Sequence, residues 1–441
     1  MRSTAEGVDG LGGAPADAAT AAEGEVTEEA ALALDRADAG THRRDAFLIP
    51  PALHHPSGEV AYFAGNSLGL QPRAVAQILQ EELEDWARYA VRGHEVARRP
   101  WVEYGDLARA SFGRLVGAEP AEVVAMNSLT VNLHLLMISF YRPTEERFQI
   151  LIEDTAFPSD LYAVRSQAAH HGFDPDVAVV RLRTDQVLDH LAREGDKVAL
   201  LMLGGVNYLT GELLDIPTIT AAGHAAGAVV GWDLAHAAGN ALLELHDWDV
   251  DFAAWCTYKY LNAGPGAVAG AFVHARHHGR DDLDRFHGWW SNDAGTRFRM
   301  PVDLDPAVGA AVWQISNPPV LALAPVVRSL ELFDEVGMPA LRERSVRLVA
   351  HLEQTLLRLA ETRPLEILTP SDPARRGNQL SVRIRGVDSA ALVDRLVEYD
   401  VVCDSRPPDV VRVACPPLYS SHHDVWRLGQ ALEAALDEEI R

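Results

Sequence analysis

The feature that most constrains this chain is a series of short apolar runs after position 147: FQILIE, VAVVRL, KVALLMLGG, AVVGW, DFAAWC and GAFVHA, separated by helical segments. Runs of this length, rich in Val, Ile, Leu and Ala without clean polar alternation, read as strands buried on both faces. Helical crossovers between such strands make them parallel. The centre is therefore expected to be an α/β domain with a mostly parallel sheet. A chain of 441 residues is about three times the commonest domain size, so a second domain is expected as well.

Residues 1–40 are Ala, Gly, Asp and Glu-rich, and no aromatic precedes Phe47, so this segment reads as a disordered acidic tail with a helical turn or two between 28 and 36. Residues 41–320 are assigned to the large domain with an N-terminal helical arm. Within that arm AVAQILQEELEDWARYAV spaces Val75, Ile78, Leu79, Leu83, Trp86 and Tyr89 as one helical face. After Pro318-Pro319 come two helices, the strand-like runs LEILTP, QLSVRI, VVCDS and VVRVA, a helix around Leu392 and a terminal amphipathic helix. Residues 321–441 are thus expected to form a smaller C-terminal α/β domain.

The formal charge of −24 repels phosphate backbones and anionic lipid, so neither nucleic acid nor a membrane is an expected partner. Three cysteines, Cys256, Cys403 and Cys415, form neither a disulfide framework nor a zinc pattern, and a cytoplasmic location is expected. The histidine pairs at 54–55, 170–171, 277–278 and 422–423 lack metal-ligand spacing, read as surface residues, and no metal site is assigned.

In VVGWDLAHAAGN a buried strand delivers Asp233 and His236 to its carboxyl end, the edge at which open α/β sheets bind ligands. Twenty-six positions after Asp233, the strand DFAAWC has delivered Thr257, Tyr258 and Lys259, with the glycine-rich NAGPGAVAG following. An amine to form a Schiff base and a carboxylate to keep a pyridine nitrogen protonated are what a pyridoxal phosphate enzyme needs. Taken alone, Asp233 reads equally well as a strand-end cap and Lys259 as a solvated lysine. In NSLTVNLHLLMISFY a helix opens after Asn127-Ser128, so the N–H groups near Leu129 and Thr130, with the Thr130 hydroxyl, can face a phosphate. An ordinary capped core helix has the same sequence.

The segments YFAGNSLGLQP, RGHEVARRPW, NSLTVNLHLLM, AFPSDLYAV, VNYLTGELLDI, DLAHAAGN, TYKYLNAGPG, GWW, ISNPP and RVACPPLY resemble, in order and spacing, those of the kynureninase family. These are pyridoxal phosphate enzymes of the aminotransferase fold type I. The resemblance runs from Tyr62 to Tyr419. It implies Lys259 as the Schiff-base lysine, Asp233 as partner of the pyridine nitrogen, and His236 beside the ring. It further implies Leu129 and Thr130 at the phosphate, Phe157 stacked on the ring, and Pro158, Ser159 and Asp160 completing that motif. Tyr258, Trp289 and Asn317 would also approach the cofactor, the last two from the neighbouring subunit of a homodimer. Arg412 would grip the substrate α-carboxylate, and His94, Ser316 and Asn317 resemble the set that favours 3-hydroxykynurenine over kynurenine.

The reaction so implied is hydrolytic Cβ–Cγ cleavage to alanine and an anthranilate, with Tyr258 the candidate for activating water. Gly204 departs from the pattern, standing where family members can carry a hydroxyl, and WWSND departs from the usual run after the tryptophan. Two rivals are weighed: a cysteine desulfurase-like β-cleaving enzyme, which needs a mobile nucleophilic cysteine, and a pyridoxal phosphate-binding homologue without turnover. Cys256, Cys403 and Cys415 lie in apolar runs and read as buried thiols.

Overall fold

The computed structural model describes residues 27–38 and 40–439. The apolar runs form strands β2 to β7 of a seven-stranded sheet: β1 (Val123–Ala125), β2 (Gln149–Glu153), β3 (Val179–Leu182), β4 (Val198–Gly204), β5 (Val229–Asp233), β6 (Phe252–Trp255) and β7 (Gly270–Val273). Their spatial order is β1-β7-β6-β5-β4-β2-β3. Five of these strands run parallel, from β3 across to β6. GAFVHA does not follow the parallel expectation. It becomes β7, antiparallel to both β6 and β1.

Both faces of the sheet are covered, which explains the missing polar alternation. Leu151, Leu201, Leu203, Trp232 and Trp255 point into one core, and their strand neighbours Ile150, Ile152, Leu200, Met202 and Ala254 into the other. Burying each large aliphatic side chain contributes about 1.5–3 kcal/mol, so apolar residues are favoured at every position of such a strand.

The second sheet has four strands, β8 (Leu365–Ile367), β9 (Gln379–Ile384), β10 (Asp404–Arg406) and β11 (Val410–Ala414), in the order β8-β9-β11-β10. All its pairings are antiparallel. Division at residue 320 does not describe the packing. Helix Val320–Val336 sends Leu323, Ala324, Val326, Leu330 and Phe333 into the core of the large sheet. Ala61 and Phe63 lie in the core of the small one, and 61–62 pair with 401–402.

The described part of the acidic segment is a helix, Glu28–Ala37, rather than a tail. It packs against the terminal helix His422–Glu439, whose first N–H groups donate to the Asp35 carboxylate at 2.7 and 3.0 Å. Residues 1–26 and 39, which the tail was also expected to include, lie outside the described residues. Among the described residues no helix is long and apolar enough to cross a membrane.

Helix Ala74–Tyr89 forms as the spacing predicts, but it buries a different face. Val75 and Ile78 are buried together with Glu82 and Asp85, while Leu83 and Trp86 are exposed at 46% and 58%. The acids are drawn inward because the chain returns over them. Glu82 receives Arg99 Nε at 2.6 Å, Tyr104 Oη at 3.0 Å and Trp101 Nε1 at 3.1 Å, and Asp85 receives the Arg98 N–H at 2.7 Å. Two histidines expected on the surface are also buried: His277 bonds Asp251 at 2.8 Å, and His422 bonds Asp38 at 3.1 Å.

Candidate active site

The carboxyl ends of β2, β4, β5 and β6 open on a cavity of about 410 Å³. Strand register places Gly204 opposite Asp233 and Asp233 opposite Ala254, so the acid ends a central strand. The turn after β6 brings Lys259 to the same cavity. That turn is held by the bond from Thr257 Oγ1 to Val268 O at 2.7 Å and by the Gly69 N–H on Tyr258 O at 2.8 Å. Gly69 belongs to YFAGNSLGLQP, and glycine is required there. A Cβ at this position would lie 2.4 Å from the Lys259 carbonyl oxygen.

Lys259 Nζ lies 3.0 Å from His236 Nε2. His236 is held well below its usual basicity by burial and by the charges of Lys259, Arg412 and Arg406, so the imidazole stays neutral. Asp233 Oδ1 accepts the Ala235 N–H at 2.7 Å, which fixes the carboxyl group in the cavity wall. Burial, and next the Asp233 charge, push the Asp160 carboxyl well above its ordinary value. Its Oδ1 is buried without a hydrogen-bond partner. Burial likewise pushes Glu153, at the end of β2, up to about 7.

Two helices begin at the same cavity, Leu129–Phe140 and Pro158–His170. Neither N-terminus is capped by its own side chain, and the Thr130 and Ser159 hydroxyls meet at 2.7 Å. Unsatisfied N–H groups, two hydroxyls and two helix dipoles suit a phosphate. Phe157 closes one face, with Lys259 Nζ 5.8 Å from its ring centroid, and Tyr208 stands edge-on to Phe157 at 5.2 Å. Tyr258 lines the same space; burial pushes its hydroxyl up to about 12, so at neutral pH it is a proton donor. The donor set and the orphaned Asp160 oxygen fit pyridoxal phosphate: the helix starts would take its phosphate, Asp233 would face its ring nitrogen and Lys259 would supply the amine for the Schiff base.

The structure thus brings together Leu129, Thr130, Phe157, Ser159, Asp160, Asp233, His236, Tyr258 and Lys259, and Pro158 opens the helix that carries two of them. Five other expected residues do not line this cavity. His94, Trp289 and Asn317 line a separate cavity of about 770 Å³, and Ser316 is exposed beside Asn317. Arg412 is fully buried and bonded to Tyr208 O at 2.8 Å and to Asp404, and it does not line the cavity.

Sequence reasoning missed Glu153 and Arg406, which do line it. Glu153 ends FQILIE as Asp233 ends its own strand, so the same strand-end argument reaches it. Nothing local marks Arg406. Glu153 also accounts for the departure at Gly204, whose N–H donates to Glu153 Oε1 at 2.8 Å, while a Cβ at 204 would lie 2.8 Å from that oxygen.

All three cysteines are buried, which removes the exposed nucleophile that a desulfurase requires. Among the described residues one histidine and carboxylate group is compact enough for a metal, Glu122, His246 and His274. Its ligand atoms are already engaged. Glu122 accepts the N–H groups of Glu119 and Ala275, and His274 Nδ1 accepts that of Arg276.

The fold is shared with the cysteine desulfurase CsdA from Escherichia coli at a TM-score of 0.73 and 19% identity, covering 90% of this chain and 98% of that one. It is also shared with the cystine C-S lyase C-DES in complex with cysteine persulfide, at 0.71 and 18%, covering 85% and 97%. Fold and site together define a pyridoxal phosphate-dependent enzyme of fold type I. Residues 341–432 match the family described as Kynureninase C-terminal domain. The chain is 60% identical over 420 residues to the kynureninase of Salinispora tropica, covering 93% of this chain and 97% of that one. It is 53% identical over 419 residues to that of Myxococcus xanthus, again covering 93% and 97%. The chain belongs to the kynureninase family, hydrolases of carbon–carbon bonds that use pyridoxal phosphate.

Proposed function

We propose that the protein hydrolyses the Cβ–Cγ bond of kynurenine-type amino acids, with 3-hydroxykynurenine favoured, to give alanine and the corresponding anthranilate. The observation that carries this reading is the convergence of Lys259, neutral His236 and the Asp233–Asp160 pair on one cavity, in a chain 60% identical to a kynureninase. Bound there, pyridoxal phosphate supplies an electron sink conjugated to the substrate α-carbon. The Lys259 amine takes the α-proton, and neutral His236 at 3.0 Å leaves it free to do so. Asp233 would hold the ring nitrogen, with Asp160, whose carboxyl burial and the Asp233 charge push up, beside it in the cavity. Water adds to the γ-carbonyl, the Cβ–Cγ bond breaks to release the aryl acid, and Cβ takes a proton. Tyr258, a phenol up to about pH 12, serves as an acid in this sequence. The test is turnover of kynurenine and 3-hydroxykynurenine by the purified holoenzyme, followed through the fluorescence of the anthranilate product; absence of turnover on both refutes the reading.

Preference for the 3-hydroxy substrate is assigned to His94, Ser316 and Asn317. A site built to bond the ring hydroxyl leaves polar groups unsatisfied when it is missing. The expected ratio of kcat/KM is at least about tenfold in favour of 3-hydroxykynurenine, and His94→Ala should lower it. Equal values for the two substrates, or an unchanged ratio in the variant, would overturn the assignment.

His94 and Asn317 lie in the second cavity, so their part in the reaction requires a second subunit that carries them to its neighbour's Lys259. Exposed apolar side chains support this arrangement: Trp289 and Phe298, exposed at 43% and 53%, line that cavity, and Trp86, at 58%, lines an adjoining one that shares Asn317. A twofold homodimer is therefore proposed. Light scattering at micromolar concentration should give about twice the chain mass, whereas a fully active monomer would contradict it.

A further inference from the structure

We propose that Glu153 is a positioning residue at the ring-nitrogen end of the cofactor site: its carboxylate, seated on the Gly204 N–H one strand from Asp233, supplies negative charge that the protonated ring nitrogen of pyridoxal phosphate offsets. This rests on the proposed orientation of the cofactor, with Asp233 at the ring nitrogen, and is independent of the substrate.

The position follows from the strands. Glu153 ends β2 and Gly204 ends the neighbouring β4, where Gly204 is in register with Asp233 on β5. The bond from the Gly204 N–H to Glu153 Oε1 at 2.8 Å therefore holds the Glu153 carboxyl at the Asp233 end of the cavity, which it lines. Glycine at 204 makes room for it, since a Cβ there would lie 2.8 Å from the same oxygen. The helix that follows β2 adds Asp160 to the lining.

Three carboxyl groups, Glu153, Asp160 and Asp233, thus share one cavity with the cationic side chains of Lys259 and Arg406. Glu153 is 3% exposed, and among the described residues no cationic side chain bonds its carboxyl. Burying a carboxylate without a cation is costly, and such groups persist where a ligand supplies the missing charge. The neutral His236 imidazole does not supply it here.

The acids that face Glu153 are Asp154, the next residue, Asp160 from the following helix and Asp233 from β5. Burial pushes its carboxyl up to about 7, with the Asp233 and Asp154 charges adding to the rise and the Gly204 N–H opposing it. A cation at the ring nitrogen also opposes the rise, so binding the cofactor favours loss of the Glu153 proton. Because binding lowers this pKa, the Glu153 contribution to affinity is present above about pH 7 and is lost as the pH falls below it.

The test uses the full chain stripped of cofactor and titrated by calorimetry with two ligands. Pyridoxine 5′-phosphate has the cofactor's ring nitrogen and phosphate but forms no Schiff base, and its 1-deaza analogue has a C–H in place of that nitrogen. The affinity of wild type relative to Glu153→Gln should rise about fivefold for pyridoxine phosphate between about pH 6 and pH 8, the size given by a pKa lowered by about one unit. Taking the ratio cancels the titrations of the ligand itself. For the deaza analogue the ratio should stay flat. The Gln amide oxygen can still accept the Gly204 N–H, so a merely structural role leaves the ratio flat for both ligands, and that result overturns the inference, as does a ratio that rises alike for both. If Glu153→Gln does not fold, Gly204→Ala decides. Its Cβ pushes the carboxyl off the N–H and should raise the midpoint of the pH dependence by about half a unit or more; an unchanged midpoint overturns the inference. Equal affinity of wild type for the two ligands at about pH 8 refutes the proposed orientation and this inference with it, whereas discrimination between them with a flat ratio refutes the role of Glu153 alone.

Discussion

Lys259→Ala is expected to lower turnover by about five orders of magnitude, about 7 kcal/mol of barrier. In the proposed reaction the amine at 259 both carries the cofactor and moves the α-proton, and among the described residues no second amine lines the cavity. His236, 3.0 Å away, does not replace it, because burial and the neighbouring cations depress its basicity. The fold should persist, since the Lys259 side chain makes its one hydrogen bond to His236 and the turn is held by backbone and Thr257 contacts. The variant should lack the visible band of lysine-bound cofactor and give no cofactor–lysine adduct after borohydride reduction. A wild-type spectrum or an adduct at another lysine would displace Lys259 from this role.

Asp233→Asn is expected to cost three to four orders of magnitude in kcat, about 4–6 kcal/mol. The amide oxygen can still accept the Ala235 N–H, so the strand end keeps its geometry. What is lost is the charge proposed to hold the ring nitrogen protonated. The cofactor should still bind, because the helix starts at Leu129 and Pro158 are untouched. Steady-state kinetics and the absorbance spectrum together check this; kcat within tenfold of wild type would place the electron-sink partner elsewhere, with Asp160 the next acid to substitute.

Residues that act through local geometry were legible in the sequence. Asp233 and Lys259 stand at the ends of apolar runs, and a strand end in a covered parallel sheet is already the edge of a cleft. The helix start at Leu129 was legible for the same reason, since its N–H groups are free whatever surrounds them. Glu153 follows the identical rule and was within reach of it.

Residues whose role depends on what returns over them were not legible. The face that helix Ala74–Tyr89 buries was misread because Arg99, Trp101 and Tyr104 come back to pair with Glu82, so the helix turns an acid inward and leaves Trp86 outside. GAFVHA looks like its parallel neighbours, because antiparallel and parallel strands buried on both faces have the same composition.

By itself the sequence determined the α/β class, the strand-end acid and amine and the helix start at Leu129, each written in periodicity or spacing within a few tens of residues, while the family rests on the resemblance of ten ordered segments from Tyr62 to Tyr419. Only the tertiary structure decided which arginine faces the cavity, why position 204 is glycine, and that His94 and Asn317 lie apart from Lys259 within one chain. These outcomes depend on contacts between distant segments, such as the Asp404 carboxylate shared across two strands and the Glu153 oxygen seated against Gly204. Nothing in the local pattern of either partner encodes the approach of the other.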